Sequence, residues 1–143
     1  MEKQMVFVYG TLRQGGVRAM SKTFPDSNFI IGGEVSGCLY DLGAYPGLLL
    51  AARGPAVIGE IYEVSDSQLQ MLDEIEGYRK NSPASSYYLR RKVAIPHGER
   101  LMTCWIYEFN SALYPRRILI ESGDWIEYAK TKTEWPDDKW PDE

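Results

Sequence analysis

A single histidine, His97, and two cysteines, Cys38 and Cys104, are all that this 143-residue chain offers of the side chains on which much hydrolytic and metal-dependent chemistry is built. His97 stands in IPHGER between Pro96 and Gly98, a spelling expected at a hairpin turn. Ser-His-Asp and Cys-His mechanisms and histidine-held zinc therefore lack their central residue. The two cysteines lie far apart, each inside an apolar, strand-like segment, which argues against a disulfide framework or a metal spacing and predicts buried structural thiols. Also missing are the lysine of a phosphate loop and the G-x-G-x-x-G fingerprint, although MVFVYGTLRQGG (5–16) runs from an apolar segment straight into glycines. No apolar run approaches the length of a membrane helix, and MEKQM at the start lacks the layout of a signal peptide. Basic excess is absent too: the net charge is -4 and the pI about 5.1, with Lys and Arg scattered apart from LRRK. Nucleic acid and membrane are thus not expected as partners, and a cytoplasmic location is. Any catalyst here must use carboxylates, tyrosines or backbone.

What is present is an ordinary globular composition, 44% hydrophobic and 25% charged. The length predicts one domain over 1–143, ending in an irregular acidic tail at 132–143 whose two Trp residues can pin it to the surface. Five segments read as strands: Met5 to Tyr9, Val35 to Asp41, Val57 to Val64, Tyr87 to Ile95 and Leu101 to Phe109. The last two, separated by PHGER, predict an antiparallel hairpin with a five-residue link. Gly32-Gly33, GAYPG (43–47) and RGP (53–55) read as turns. In VSDSQLQMLDEIEGY, Ser65 with Gln68 spells a capping box, Asp66 suits the first turn and Gly77 the stop, predicting a helix over 66–76. A second helix is expected near 123–131, with Trp125, Ile126 and Ala129 on its apolar side.

At about 100° per residue, Leu69, Met71, Leu72 and Ile75 form the first helix's apolar stripe, and Glu76 falls between Leu69 and Leu72. A carboxylate so placed, partly desolvated and at the negative end of a helix, has its charged form disfavoured, which is the tuning a general base needs. The same pattern also fits a frayed final residue turned to water. The opening turn is equally two-sided. Gly10 lets backbone approach a ligand and successive amides of GTLR can meet one anionic group, a carboxylate by size, or the glycines merely turn the chain.

Four motifs in order narrow these alternatives. VYGTLRQG (8–15), GEIYEV (59–64), LDEIEGY (72–78) and YLRRKV (88–93) together resemble the γ-glutamylcyclotransferase-like family, in the branch that contains γ-glutamylamine cyclotransferase and small bacterial relatives. The resemblance spans roughly residues 5 to 110. It implies an α+β fold, a small mixed β-barrel flanked by helices with one pocket beside the barrel. It further implies no cofactor and a small-molecule γ-glutamyl substrate. Residue by residue, it carries substrate binding onto Tyr9, Gly10, Thr11 and Leu12, the catalytic glutamate onto Glu76, and a pocket-lining tyrosine onto Tyr88. Arg90 keeps its spacing, with its direction left open. RKNSPASS (79–86) is a longer link to Tyr88 than the pattern leads one to expect, and the residues from Ser111 onward match none of these motifs. The reaction implied is release of 5-oxoproline and a free amine by attack of the substrate's own α-amine. The alternatives are a non-catalytic γ-glutamyl-binding module and an enzyme that removes a γ-glutamyl group from a pathway intermediate.

Overall fold

The hairpin expected around IPHGER is present and tighter than its sequence suggested. In the computed structural model, which describes residues 3–133, β5 (Tyr88–His97) and β6 (Arg100–Phe109) pair from Tyr88 opposite Phe109 to His97 opposite Arg100. Only Gly98 and Glu99 remain as the turn, because Gly98 adopts φ +64°, which closes a two-residue hairpin. His97, expected within the turn, is instead an exposed residue at the end of β5.

The other strands are β1 (Lys3–Val8), β2 (Asn28–Asp41), β3 (Pro46–Leu50), β4 (Ala56–Ser65) and the short β7 (Ile118–Leu119). Their order is β3-β2-β4-β1-β6-β5, with β7 on β2. The β1–β6 contact is parallel and the rest antiparallel, so the sheet is mixed, and it curls into a half-barrel flanked by helices: an α+β fold. The curl comes from β2, which pairs with β4 through Ser36 and with β3 from Gly37 onward. At that handover a Cβ on Gly37 would lie 2.5 Å from the Leu49 carbonyl oxygen, so only glycine fits.

Two expected turns are corrected. Gly32-Gly33 lies inside β2, opposite Glu60 and Gly59, where Phe7 and Ile95 close over Gly33. The end of GAYPG begins β3, a strand the sequence reading missed, since Pro46 at its first position needs no ladder donor.

Period-two alternation in β1 organises the interior. Val6 and Val8 pack into one cluster with Tyr62, Val64, Leu69, Leu72, Tyr88, Tyr107 and Phe109. Phe7 and Tyr9 pack into the other with Leu39, Leu48, Val57, Ile61, Ile106 and Trp125. Two helices of useful length cover these faces.

The first long helix begins as spelled. After the short α1 (Met20–Thr23), α2 (Asp66–Ile75) opens with Ser65 Oγ accepting from the Gln68 amide at 3.2 Å and Gln68 Oε1 accepting from the Ser65 amide at 2.9 Å. It buries Leu69 and Leu72 against the first cluster, whereas Met71, placed on the stripe by periodicity, is half exposed. The helix ends one residue before the expected Glu76, which is its C-cap, and Gly77 at φ +66° provides the stop. Helix α3 (Trp125–Thr131) starts two residues later than expected because Gly123 at φ +67° is a turn and Asp124 Oδ1 caps the helix.

Cys104 is buried, which pushes its thiol up to about 11, but Cys38 is only half-buried, correcting the expectation for that residue. Residues 134–143, most of the expected tail with both of its Trp residues, lie outside the described residues. Among the described residues, no helix is long and apolar enough to cross a membrane.

Candidate active site

β1 ends at Val8, and the chain turns at once into the loop of residues 9 to 18, which forms one wall of a cleft. The Tyr9 side chain is spent on scaffold: its hydroxyl donates to the Tyr107 carbonyl at 2.5 Å and accepts from the Leu48 amide at 3.2 Å. Gly10 has no room for a side chain, since a Cβ would stand 2.5 Å from Cγ of Pro46. Beyond it, the Arg13 amide donates to the Gly10 carbonyl, Arg18 to Thr11 and Met20 to Leu12, which folds the loop back on itself. None of these bonds uses the amide of Thr11 or Leu12.

The loop is held from behind. The register that sets Val8 opposite Glu60 brings that carboxylate beside the loop. Arg13 donates from Nε to Glu60 at 3.0 Å and from Nη1 to Asp124, the α3 cap, at 2.9 Å, while Glu60 also accepts from the Gln14 amide at 2.9 Å. Arg13 and Glu60 side chains are about one-tenth exposed, so this pair is buried.

Glu76 shares the cleft lining with that loop, including its last residue Arg18, and with Ile75, Tyr45, Pro46, Tyr88 and Tyr107. The space is about 520 Å³ when its open mouth is included. Glu76 is half-buried on the cleft, and desolvation of its carboxyl by the surrounding protein lifts its pKa from 4.5 to about 7. Arg18 opposes that rise and Asp73 adds to it. Tyr88 is buried, and its hydroxyl donates to the Pro46 carbonyl at 2.7 Å. Burial raises its pKa well above the ordinary value, as it does for Tyr9.

Behind Glu76, the Asp73 carboxylate accepts from the Tyr107 hydroxyl at 2.6 Å and from Arg90 Nη1 at 2.9 and 3.2 Å. Arg90 lies 4.4 Å from the Trp105 ring centroid and 5.5 Å from that of Tyr78, which settles its direction: its side chain serves this partly buried ion pair. A weak base close to neutrality, on the same lining as Thr11 and Leu12, whose amides the loop's own bonds leave aside, is suited to proton transfer on a small ligand with an anionic group.

Comparison with known proteins agrees with that chemistry. Residues 6–127 match the family model described as γ-glutamyl cyclotransferase, AIG2-like. The chain belongs to this family. A Vibrio cholerae protein, named provisionally as a γ-glutamylcyclotransferase, is 35% identical over 128 residues, covering 87% of this chain and 97% of its own length. The γ-L-glutamyl-butirosin B γ-glutamyl cyclotransferase of Niallia circulans is 31% identical over 125 residues, covering 86% and 76%. Among solved structures, an AIG2-like protein from Mus musculus superposes with a TM-score of 0.61 at 26% identity, covering 78% of this chain and 80% of that one. The chain is accordingly an enzyme of the γ-glutamylcyclotransferase type.

In this γ-glutamyl cyclotransferase-type cleft, all six residues singled out from the sequence, Tyr9, Gly10, Thr11, Leu12, Glu76 and Tyr88, meet on one lining. Arg18, Tyr45, Pro46 and Tyr107 were missed. Arg18 and Tyr45 sit in loops with no periodicity to orient them, and only the pairing of the sheet brings Tyr107 beside α2. Glu60 had a weaker signal, one of two acids, with Glu63, in the strand-like GEIYEV.

Proposed function

We propose that this γ-glutamylcyclotransferase-type enzyme acts on γ-glutamyl amides, with Glu76 as the general base and acid. The observation that carries this reading is the Glu76 carboxyl, lifted to about 7 in a cleft shared with the Gly10–Leu12 backbone. The substrate holds its own nucleophile, so catalysis needs positioning and proton transfer rather than an outside reagent. The amides of Thr11 and Leu12 would receive the α-carboxylate, with the positive charge of Arg18 on the same lining favouring an anionic guest.

Glu76 takes a proton from the α-ammonium, which frees the amine. The amine nitrogen bonds to the γ-carbonyl carbon, the bond from that carbon to the leaving nitrogen breaks, and Glu76 returns a proton to that nitrogen. One ammonium hydrogen stays on the ring nitrogen of 5-oxoproline, and the remaining one departs with the product as its ammonium form. Tyr88, whose hydroxyl is already committed to Pro46, shapes the cleft with its ring.

The Niallia relative's name favours a second version in which the same step unmasks a larger amine from a pathway intermediate. A non-catalytic γ-glutamyl-binding module would have no use for an inward carboxylate near neutrality, and Glu76 argues against it. The test is release of 5-oxoproline from a panel of γ-glutamyl amides, small and large, with Glu76→Gln alongside. Release by the parent protein and not by the variant supports the reading and identifies the amine. Binding without release points to the module.

A further inference from the structure

Asp73 precedes Glu76 by one helical turn, an i, i+3 spacing that puts the two carboxyls on the same side of α2. Its carboxylate makes three hydrogen bonds, to the Tyr107 hydroxyl on β6 and the Arg90 guanidinium on β5. Tyr107 in turn lines the cleft, and its carbonyl receives the Tyr9 hydroxyl at the root of the substrate-facing loop. A chain of direct contacts therefore runs from Arg90 through Asp73 and Tyr107 to Tyr9, passing behind the carboxyl assigned as the base. Resting on that assignment, we propose that Asp73 is a positioning residue, which fixes Tyr107 in the cleft wall and sets the negative charge that Glu76 faces.

The groups around Glu76 define what that charge does. Arg18 from the loop favours the ionised form, and Asp73 from its own helix disfavours it. The phenols of Tyr9, Tyr88 and Tyr107, from β1's end, β5 and β6, are neutral and each feels the Glu76 charge. Burial pulls the pKa of Asp73 up, and the Tyr107 hydroxyl and the Arg90 guanidinium, both bonded to its carboxylate, oppose that rise. Removing the charge acts on Glu76 in one direction: the repulsion from Asp73 is gone, which favours the Glu76 carboxylate.

The experiment follows the ionisation of Glu76 directly, by carbon NMR of protein labelled at the glutamate carboxyls, with Glu76→Gln used to assign the resonance. In Asp73→Asn the midpoint should fall by about half a pH unit or more. The acid limb of kcat/KM for 5-oxoproline release should move down with it, and kcat should fall about threefold to thirtyfold as Tyr107 loses its charged acceptor. An unchanged midpoint in a folded Asp73→Asn protein overturns the proposal, and this readout stands even where no substrate in the panel turns over. Should Asp73→Asn not fold, Tyr107→Phe decides. A lower kcat with the acid limb unmoved supports the proposal, and kcat equal to the parent's overturns it.

Discussion

At the scale of single residues, Glu76 carries the clearest consequences. Replacing it with Gln keeps its shape and removes the base, so 5-oxoproline release should fall by about 10²–10⁴-fold while circular dichroism stays unchanged. The same group links pH to stability. Its native pKa of about 7 lies above the ordinary 4.5, so between these values the native state binds more protons than the unfolded state. The resulting contribution is complete below pH 4.5 and is lost as pH rises through 7. Glu76→Gln should therefore raise Tm at pH 8 relative to the parent and leave it nearly unchanged at pH 5, as thermal melts at both values would show. Gly10 acts through space alone. An added methyl in Gly10→Ala would press on the rigid Pro46 ring at 2.5 Å, so the wall must shift, and KM should rise together with a lower Tm.

At the scale of elements, the substrate-facing loop is only as well placed as its supports on β4 and α3. Arg13 holds both, which makes the Glu60–Arg13–Asp124 contact a brace and not a surface ornament. Taking the charge from Glu60 leaves a buried guanidinium with Asp124 alone. Glu60→Gln should cost about 3 kcal/mol, the low end for breaking a buried pair, measured by urea unfolding. It should also raise KM more than it lowers kcat, because the proposed mechanism assigns binding to the loop and proton transfer to Glu76. Helix α3 is pinned at its other end by Tyr128 and Lys132 on buried Asp41, so it can serve as a fixed post for that brace.

At the scale of the whole molecule, β1 divides the interior so that the cleft borders one cluster and most of the second lies behind it. Ile106 belongs to the second cluster and is fully buried, and its side chain is absent from the cleft lining. Ile106→Ala should lower unfolding free energy by about 2–5 kcal/mol with kcat per folded molecule unchanged, checked by unfolding and rate assays on one preparation.

Local order in the sequence determined a good part of this. The capping box at Ser65, the glycine stop at 77 and the Tyr87–Phe109 hairpin depend on residues a few positions apart, and the propensities and periods that govern them are short-ranged, whereas the period alone left Glu76 open between cleft and water. The four ordered motifs added the family and its cleft residues. What only the tertiary structure decided lies where distant segments meet. The β2 handover at Gly37 and the new strand β3 follow from pairing across the sheet, not from their own spelling. The same is true of the company Glu76 keeps: Arg18 from a loop, Asp73 from its helix, Tyr107 and Arg90 from the hairpin. Burial and Coulomb interaction depend on distance in space, so the proton affinity of Glu76 took its value only when β1, α2 and the β5–β6 hairpin closed around it.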